Sequence, residues 1–155
     1  MKLKINFGAL KKIKDNIRRE FGNNVDASEL AADIVRVAGA RCLAKAQERT
    51  PKDTGHLRQN WKLGKLEKRG FNSSIDVENP VEYAEYIEFG HRVTKKQMAF
   101  LRLNNIIDPS KPKKSKNGWY EGHFMLTKSI DEMREELPDI AEERMIKKFL
   151  DIFHD

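Results

Sequence analysis

A proline at position 51 closes the longest helical pattern in the chain, and that stop constrains everything placed after it. From Asp26 to Arg49 the apolar residues Leu30, Ile34, Val37, Ala38 and Leu43 recur at helical spacing among several alanines. Asp26 followed by Glu29 three positions on has the pattern of an N-cap with a capping box. Thr50, standing before Pro51, is steered out of the helical region. The segment predicts a helix of about 22 residues and about 33 Å, the length of a small domain. A sheet formed elsewhere in the chain is expected to pack on it.

The flanks supply the other elements. Phe7, Leu10, Ile13, Ile17 and Phe21 predict an amphipathic helix over 5–21 that ends near Gly22-Asn23-Asn24. After the turn at Asp53-Thr54-Gly55, Leu57, Trp61, Leu63 and Leu66 alternate weakly over 57–67, and Ser74 to Glu78 alternates cleanly through Ile75 and Val77. With Arg69-Gly70 between them, these two runs predict a hairpin. Asn79-Pro80 ends the second strand, and Tyr83, Tyr86, Ile87 and Gly90 fit a short helical stretch closed by glycine. Periodicity fades from His91 to Gly118, although Met98 to Leu103 is apolar enough to touch a core. Trp119, Tyr120, Phe124 and Met125 mark re-entry, with a third short strand as one route. Leu126, Ile130, Met133 and Leu137 then predict a helix. Pro138 is where a break or a new first turn is expected, and Ile140, Ile146, Phe149, Leu150 and Phe153 make a last helix. The fold expected is α+β: a small antiparallel sheet of two to four strands on a long helix, with amphipathic helices at both ends. It is read as a single domain over 1–155 with a mobile basic loop at 104–118.

Composition narrows the function classes. Charged residues make up 35% of the chain, above the usual quarter, so the surface is polar and the core modest. A single cysteine, Cys42, excludes an intrachain disulfide and a Cys-rich zinc site. It falls among Ala and Leu residues and reads as a buried small side chain. No run of about 18 apolar residues suggests a membrane span, and no signal-peptide core is evident, so a soluble protein made in a cytoplasm is expected. The net charge of +6 is concentrated: Arg92 to Lys116 holds eight basic residues and one acidic, which leaves the remainder close to neutral. Within that segment Lys111, Lys113, Lys114 and Lys116 surround prolines, a composition suited to a partner-facing, DNA-facing or simply solvated loop.

No nucleophile with a supporting base, paired carboxylates or phosphate loop emerges. Thr54-Gly55-x-Leu57-Arg58 lacks the repeated glycines and the Lys-Ser or Lys-Thr pair of a P-loop. Its better reading is structural: Gly55 allows a left-handed turn, Thr54 or Asp53 caps, and Leu57 re-enters the core. Glu82, Glu85, Glu88 and His91 fall three apart, which superficially suits a metal, but Gly90 interrupts the series and no second histidine lies near. Glu88 stands between Ile87 and Phe89, where a carboxylate needs a partner. Arg58 and Arg92 are the candidates, in an ion pair or a subunit contact. Trp61, Tyr83, Tyr86, Phe89, Trp119 and Tyr120 read as core aromatics in preference to a base-stacking platform, since basic residues do not alternate with them. The acidic run from Asp131 to Glu143 argues against an anionic lipid surface. No cofactor or metal is expected.

Pro51, Thr54, Gly55, Leu57 and Arg58, then Tyr83, Ala84, Tyr86, Glu88, Phe89 and Gly90, then Gly122-His123-Phe124-Met125, form a pattern that resembles the bacteriophage neck or tail-completion proteins. The similarity runs from Phe7 to about Glu132. It implies a small α+β structural protein of the head-tail junction, without catalytic residues. Such proteins form a ring, commonly six-fold, between the capsid connector or adaptor and the tail tube or tail terminator. The implied setting is the virion, assembled in the bacterial cytoplasm with no membrane. Where the family often has a short Gly-Thr segment, this chain has Gly90-His91-Arg92 and the long basic insert. The 51–63 and 83–92 regions are expected to supply one side of the subunit contact, because a small sheet leaves edges to be paired or covered. Two alternatives remain open at this point: a DNA-binding accessory protein using the basic loop, and a metal-dependent enzyme using Glu85, Glu88 and His91.

Overall fold

The computed structural model describes residues 1–6, 26–52, 55–68, 72–92 and 119–153, together with Asp15, Arg19, Thr94 and Lys96. Strand β1 is Lys2–Asn6, helix α1 is Ala27–Arg49, helix α2 is His56–Gln59 and strand β2 is Lys62–Leu63. Strand β3 is Ser74–Glu78, helix α3 is Ala84–Phe89, strand β4 is Gly90–Arg92, strand β5 is Trp119–Glu121 and helix α4 is Met125–Phe153. The architecture is α+β, as expected from the sequence.

Helix α1 forms as its sequence dictates. The Asp26 side chain accepts hydrogen bonds from the backbone N–H groups of Ser28 at 2.9 Å and Glu29 at 3.2 Å. Glu29, read as the other half of a capping box, pairs instead with Lys68 across the domain. At the far end Thr50 is extended, its conformation set by Pro51, and the Thr50 hydroxyl donates back to the Ala46 carbonyl at 2.6 Å. Leu30, Ile34, Val35, Ala38, Cys42 and Ala46 are buried along one face.

Two partners cover that face. A three-stranded antiparallel sheet, in the order β1-β3-β2, lays Ile75 and Val77 against α1. Gly39 makes this approach possible, because a Cβ there would lie 2.7 Å from Ile75 Cγ2 and 3.1 Å from Leu63 Cδ1. Helix α4 runs antiparallel to α1, burying Met125, Leu126, Met133, Leu137, Ile140 and Ala141. Each large side chain so buried contributes about 1.5–3 kcal/mol. Charges zip the rim of the helix pair. Lys45 meets Glu132 at 3.0 Å and Glu136 at 2.7 Å, Arg41 meets Glu143 at 2.8 Å, Arg144 meets Asp33 at 2.6 Å, and Arg49 also meets Glu132. Part of the acidic run in α4 is thus neutralised by α1.

Three expectations are corrected. Pro138 does not divide the C-terminal helices, because α4 is continuous through it. Proline there removes one N–H and costs about 3 kcal/mol, but Leu137 on one side and Ile140 and Ala141 on the other are anchored to the same core. The 57–67 strand begins as a helical turn: Leu57 and Trp61, four apart, are both buried from α2 and its end, so their spacing was helical and not alternating. The hairpin survives as β2 paired with β3 and a Glu67–Ser74 bridge. Residues 5 and 6, assigned to the first helix, belong to β1, whose Leu3 and Ile5 stand opposite Val77 and Ile75 in register. The further short strand expected around Trp119 and Tyr120 is present as β5, and it pairs with β4 in a separate two-stranded sheet.

Of the predicted 5–21 helix, Asp15 and Arg19 are helical, and the stripe Phe7, Leu10, Ile13, Ile17 and Phe21 lies outside the described residues. So do Asp53, Thr54, Arg69-Gly70, the Met98–Leu103 stretch and the basic loop at 104–118 with Lys111, Lys113, Lys114 and Lys116.

Candidate functional site: the joint between α3 and α4

The sequence patches converge on the side of the domain where α2, α3, the β4–β5 sheet and the start of α4 meet. Gly55 takes a left-handed conformation (φ 73°) and turns the chain into α2, as the sequence suggests. Leu57 is buried behind it. Trp61 Nε1 donates to the Thr50 hydroxyl at 2.8 Å, fastening the end of the turn to the end of α1. Asn79 is wholly buried: its side-chain N–H donates to the Leu57 carbonyl at 2.8 Å and its Oδ1 accepts from Val81 N–H at 3.1 Å. His56 Nδ1 lies 3.2 Å from the Tyr83 hydroxyl. The first and second patches, about 25 residues apart in sequence, are therefore direct neighbours.

The second patch is locked to the third by a tighter arrangement. The start of α4 lacks a capping side chain, since Phe124 occupies the N-cap position and its carbonyl accepts the first helical bond, from Lys128 N–H at 3.1 Å. Glu88 supplies the missing cap from α3. Its carboxylate accepts from Leu126 N–H at 3.0 Å, Thr127 N–H at 2.8 Å and the Thr127 hydroxyl at 2.8 Å. The backbone takes the same grip: His123 N–H donates to the Ile87 carbonyl at 2.8 Å and Phe124 N–H to the Glu88 carbonyl at 3.0 Å. Glu88 is completely buried, with its negative charge at the positive end of the α4 dipole. The partner expected to be Arg58 or Arg92 is thus a helix terminus.

Two glycines let the strands come this close. Gly90 has φ 79° and ψ 166°, a region open essentially to glycine alone, and a Cβ on it would lie 2.4 Å from the Tyr120 carbonyl. A Cβ on Gly122 would lie 2.3 Å from the Glu88 carbonyl. Glycine closes α3 as the sequence predicts, and it also begins a strand.

The aromatics divide. Trp61 is buried and Tyr83 half-buried, but Tyr86, Phe89 and Trp119, read from sequence as core, are exposed at 58%, 51% and 48%. Their helix and strands are too short to bury two faces. At this joint Phe124 is a fourth exposed ring, at 39%, and Phe149 is a further one toward the far end of α4. Beside them His91 stacks on Tyr120 at 5.6 Å between ring centroids and meets the edge of Tyr86 at 5.4 Å, while its Nδ1 lies 3.1 Å from the Tyr86 carbonyl. Arg58 is half-buried on α2. The metal grouping Glu85, Glu88 and His91 does not form, because Glu85 is exposed, Glu88 is committed to α4 and His91 sits in the aromatic stack. Among the described residues no group of three or more His, Cys, Asp or Glu side chains could hold a metal ion.

Sequence reasoning did not foresee Leu126 and Thr127 as partners of Glu88. The signal was present in two halves: a helix start without a Ser, Thr, Asp or Asn cap, and a carboxylate in an apolar run without a partner.

Fold and site together define a small α+β domain, closely fastened at the α3–α4 joint and with a group of aromatic rings exposed beside it. Residues 11–90 match the family model described as "Bacteriophage HK97-gp10, putative tail-component". The chain belongs to this family, and is a tail-associated structural protein of bacteriophage type. No curated protein and no solved structure matches it.

Proposed function

We propose that the protein is a subunit of the head-tail junction, a neck or tail-completion component that closes into a ring between the capsid connector and the tail tube. The chain acts as one domain, without catalysis or cofactor, in the assembled virion. The observation that carries this reading is the division of labour in the motif region. Glu88, Leu57, Gly90 and Asn79 are consumed by internal joints, while Tyr86, Phe89, Trp119 and Phe124 are left on the surface. Exposed aromatics grouped at one joint are the usual anchors of protein contacts. Six-fold symmetry follows from the resemblance to neck proteins, and each subunit would offer one face to a different face of its neighbour. No described helix is long and apolar enough to cross a membrane.

Light scattering on the purified protein, alone and with the connector and tail-tube proteins encoded beside it, tests the proposal. A discrete ring, or a defined complex with those proteins, is expected. A monomer that ignores them at high concentration overturns it.

A further inference from the structure

A separate group of apolar side chains is exposed at the far end of α4. Ile146, Phe149 and Leu150, at i, i+3 and i+4, form one stripe and are exposed at 54%, 48% and 50%. They lie beyond the residues that pack α4 on the core, which run through Ile140 and Ala141 to the half-buried Met145.

Three contacts fix what else lies at that end of the domain. Helix α4 is antiparallel to α1, and Arg144 meets Asp33 at 2.6 Å. Six residues beyond that contact, about 9 Å along each axis, α4 reaches Leu150 and α1 reaches its first residue, Ala27. The sheet arrives at the same end. Asn6, last in β1, stands opposite Ser74; Ser74 bridges Glu67; and the neighbouring Lys68 pairs with Glu29 in the first turn of α1. The stretch 7–25, which joins Asn6 to Asp26, therefore starts and finishes at the end of the domain that carries the exposed stripe.

We infer that residues 7–21 dock as a helix on Ile146, Phe149 and Leu150 of the same chain. Their sequence supplies an apolar stripe of its own in Phe7, Leu10, Ile13, Ile17 and Phe21. Asp15 and Arg19, which are helical and exposed, orient it. At about 100° per residue both fall on the side opposite that stripe, so a helix that shows them to solvent turns its apolar side inward. A helix over 7–21 is about 22 Å long, and 22–25 provide the return to α1. This contact is independent of the junction reading and concerns the end of α4 remote from the α3–α4 joint.

Hydrogen exchange of the full chain, followed by mass spectrometry at two protein concentrations with light scattering alongside, tests the contact. Slow exchange over 7–21, equal at both concentrations, is expected for the wild type. Ile146→Asp combined with Leu150→Asp alters only exposed positions; it is expected to speed exchange over 7–21 about tenfold or more, while 30–46 in α1 stay as slow as in wild type. Ile13→Asp combined with Ile17→Asp is the reciprocal variant, expected to speed exchange over 146–153 by a similar factor. Fast exchange over 7–21 in the wild type overturns the docked helix. Protection there that rises with concentration, together with a larger particle, overturns the same-chain contact in favour of a second copy. Unchanged exchange over 7–21 in the α4 variant overturns the stripe as its seat. If that variant also loses protection in α1, the Ile13 and Ile17 variant decides, and unchanged exchange over 146–153 in it overturns the contact.

Discussion

The α1–α4 pair and the α3–α4 joint hold the same helix by opposite means. Along α1, helix α4 is secured by many interchangeable contacts: a broad apolar face and a rim of partly exposed ion pairs. At its N-terminus it is secured by a handful of bonds from one buried glutamate and by two places where backbones nearly touch. Area-based packing degrades gradually when one side chain changes. A joint built on close backbone approach has no spare room, so the motif residues gather there.

Mutations should expose that contrast, and the largest effect belongs to the joint. Gly122→Ala and Gly90→Ala would each drive a methyl group into a carbonyl oxygen, and at Gly90 would also force alanine into a region closed to it. A loss of more than about 3 kcal/mol in urea unfolding is expected for either. Stability within 1 kcal/mol of wild type, on the scale of surface changes, would break the comparison. Next comes Glu88→Ala, which strips the cap from buried N–H groups and should cost about 2–3 kcal/mol, with Glu88→Gln losing less. In the helix pair Ile34→Val should cost only about 0.5–1.5 kcal/mol, although Ile34 is fully buried. Equal losses for Ile34→Val and Glu88→Ala would erase the distinction.

The rim charges should be felt mainly through pH. Lys45, followed by Arg49, holds the Glu132 carboxyl below its usual range, while Glu136 and then Glu132 push Lys45 above its usual value. The Glu132 contribution is present above its unfolded value and is lost as pH falls through the lower folded one. That of Lys45 is present below its unfolded value and is lost as pH rises through the higher folded one. A urea midpoint that declines modestly at both extremes, and less so in Glu132→Gln, is expected. An unchanged acid limb in that variant would remove Glu132 from the explanation. The smallest effect concerns reactivity. Burial pushes the Cys42 thiol up to about 12, against the opposing pull of Arg49 and Lys45. At pH 8 alkylation should therefore await unfolding, and rapid labelling of native protein would show that the helix pair opens.

Much of the fold was legible because its signals are local. Asp26 and Pro51 bound α1 within a residue or two, and Gly90 marked the end of α3. Pro138 misled because the cost of one proline is local, whereas what offsets it, Leu137 and Ile140 on a shared core, is tertiary. Leu57 and Trp61 fit both periods, and only packing against α1 decides between them. At the site, the residues were found but their roles were not. Glu88 was expected to meet an arginine, and nothing in its neighbours in sequence indicates that its partner begins 38 positions away. Tyr86, Phe89 and Trp119 were assigned to a core that α3 and the β4–β5 sheet are too small to enclose.

The pairing of β4 with β5 has a consequence for how such a chain can vary. Arg92 and Trp119 face each other at the last rung of the ladder, so residues 93–118 leave and return through a single narrow doorway. Where the ends of a loop are clasped in this way, loop-closure entropy depends only weakly on length, about 0.6 kcal/mol for each doubling. The distance between the two ends of 93–118 is therefore set by the β4–β5 ladder and not by the residues that run between them.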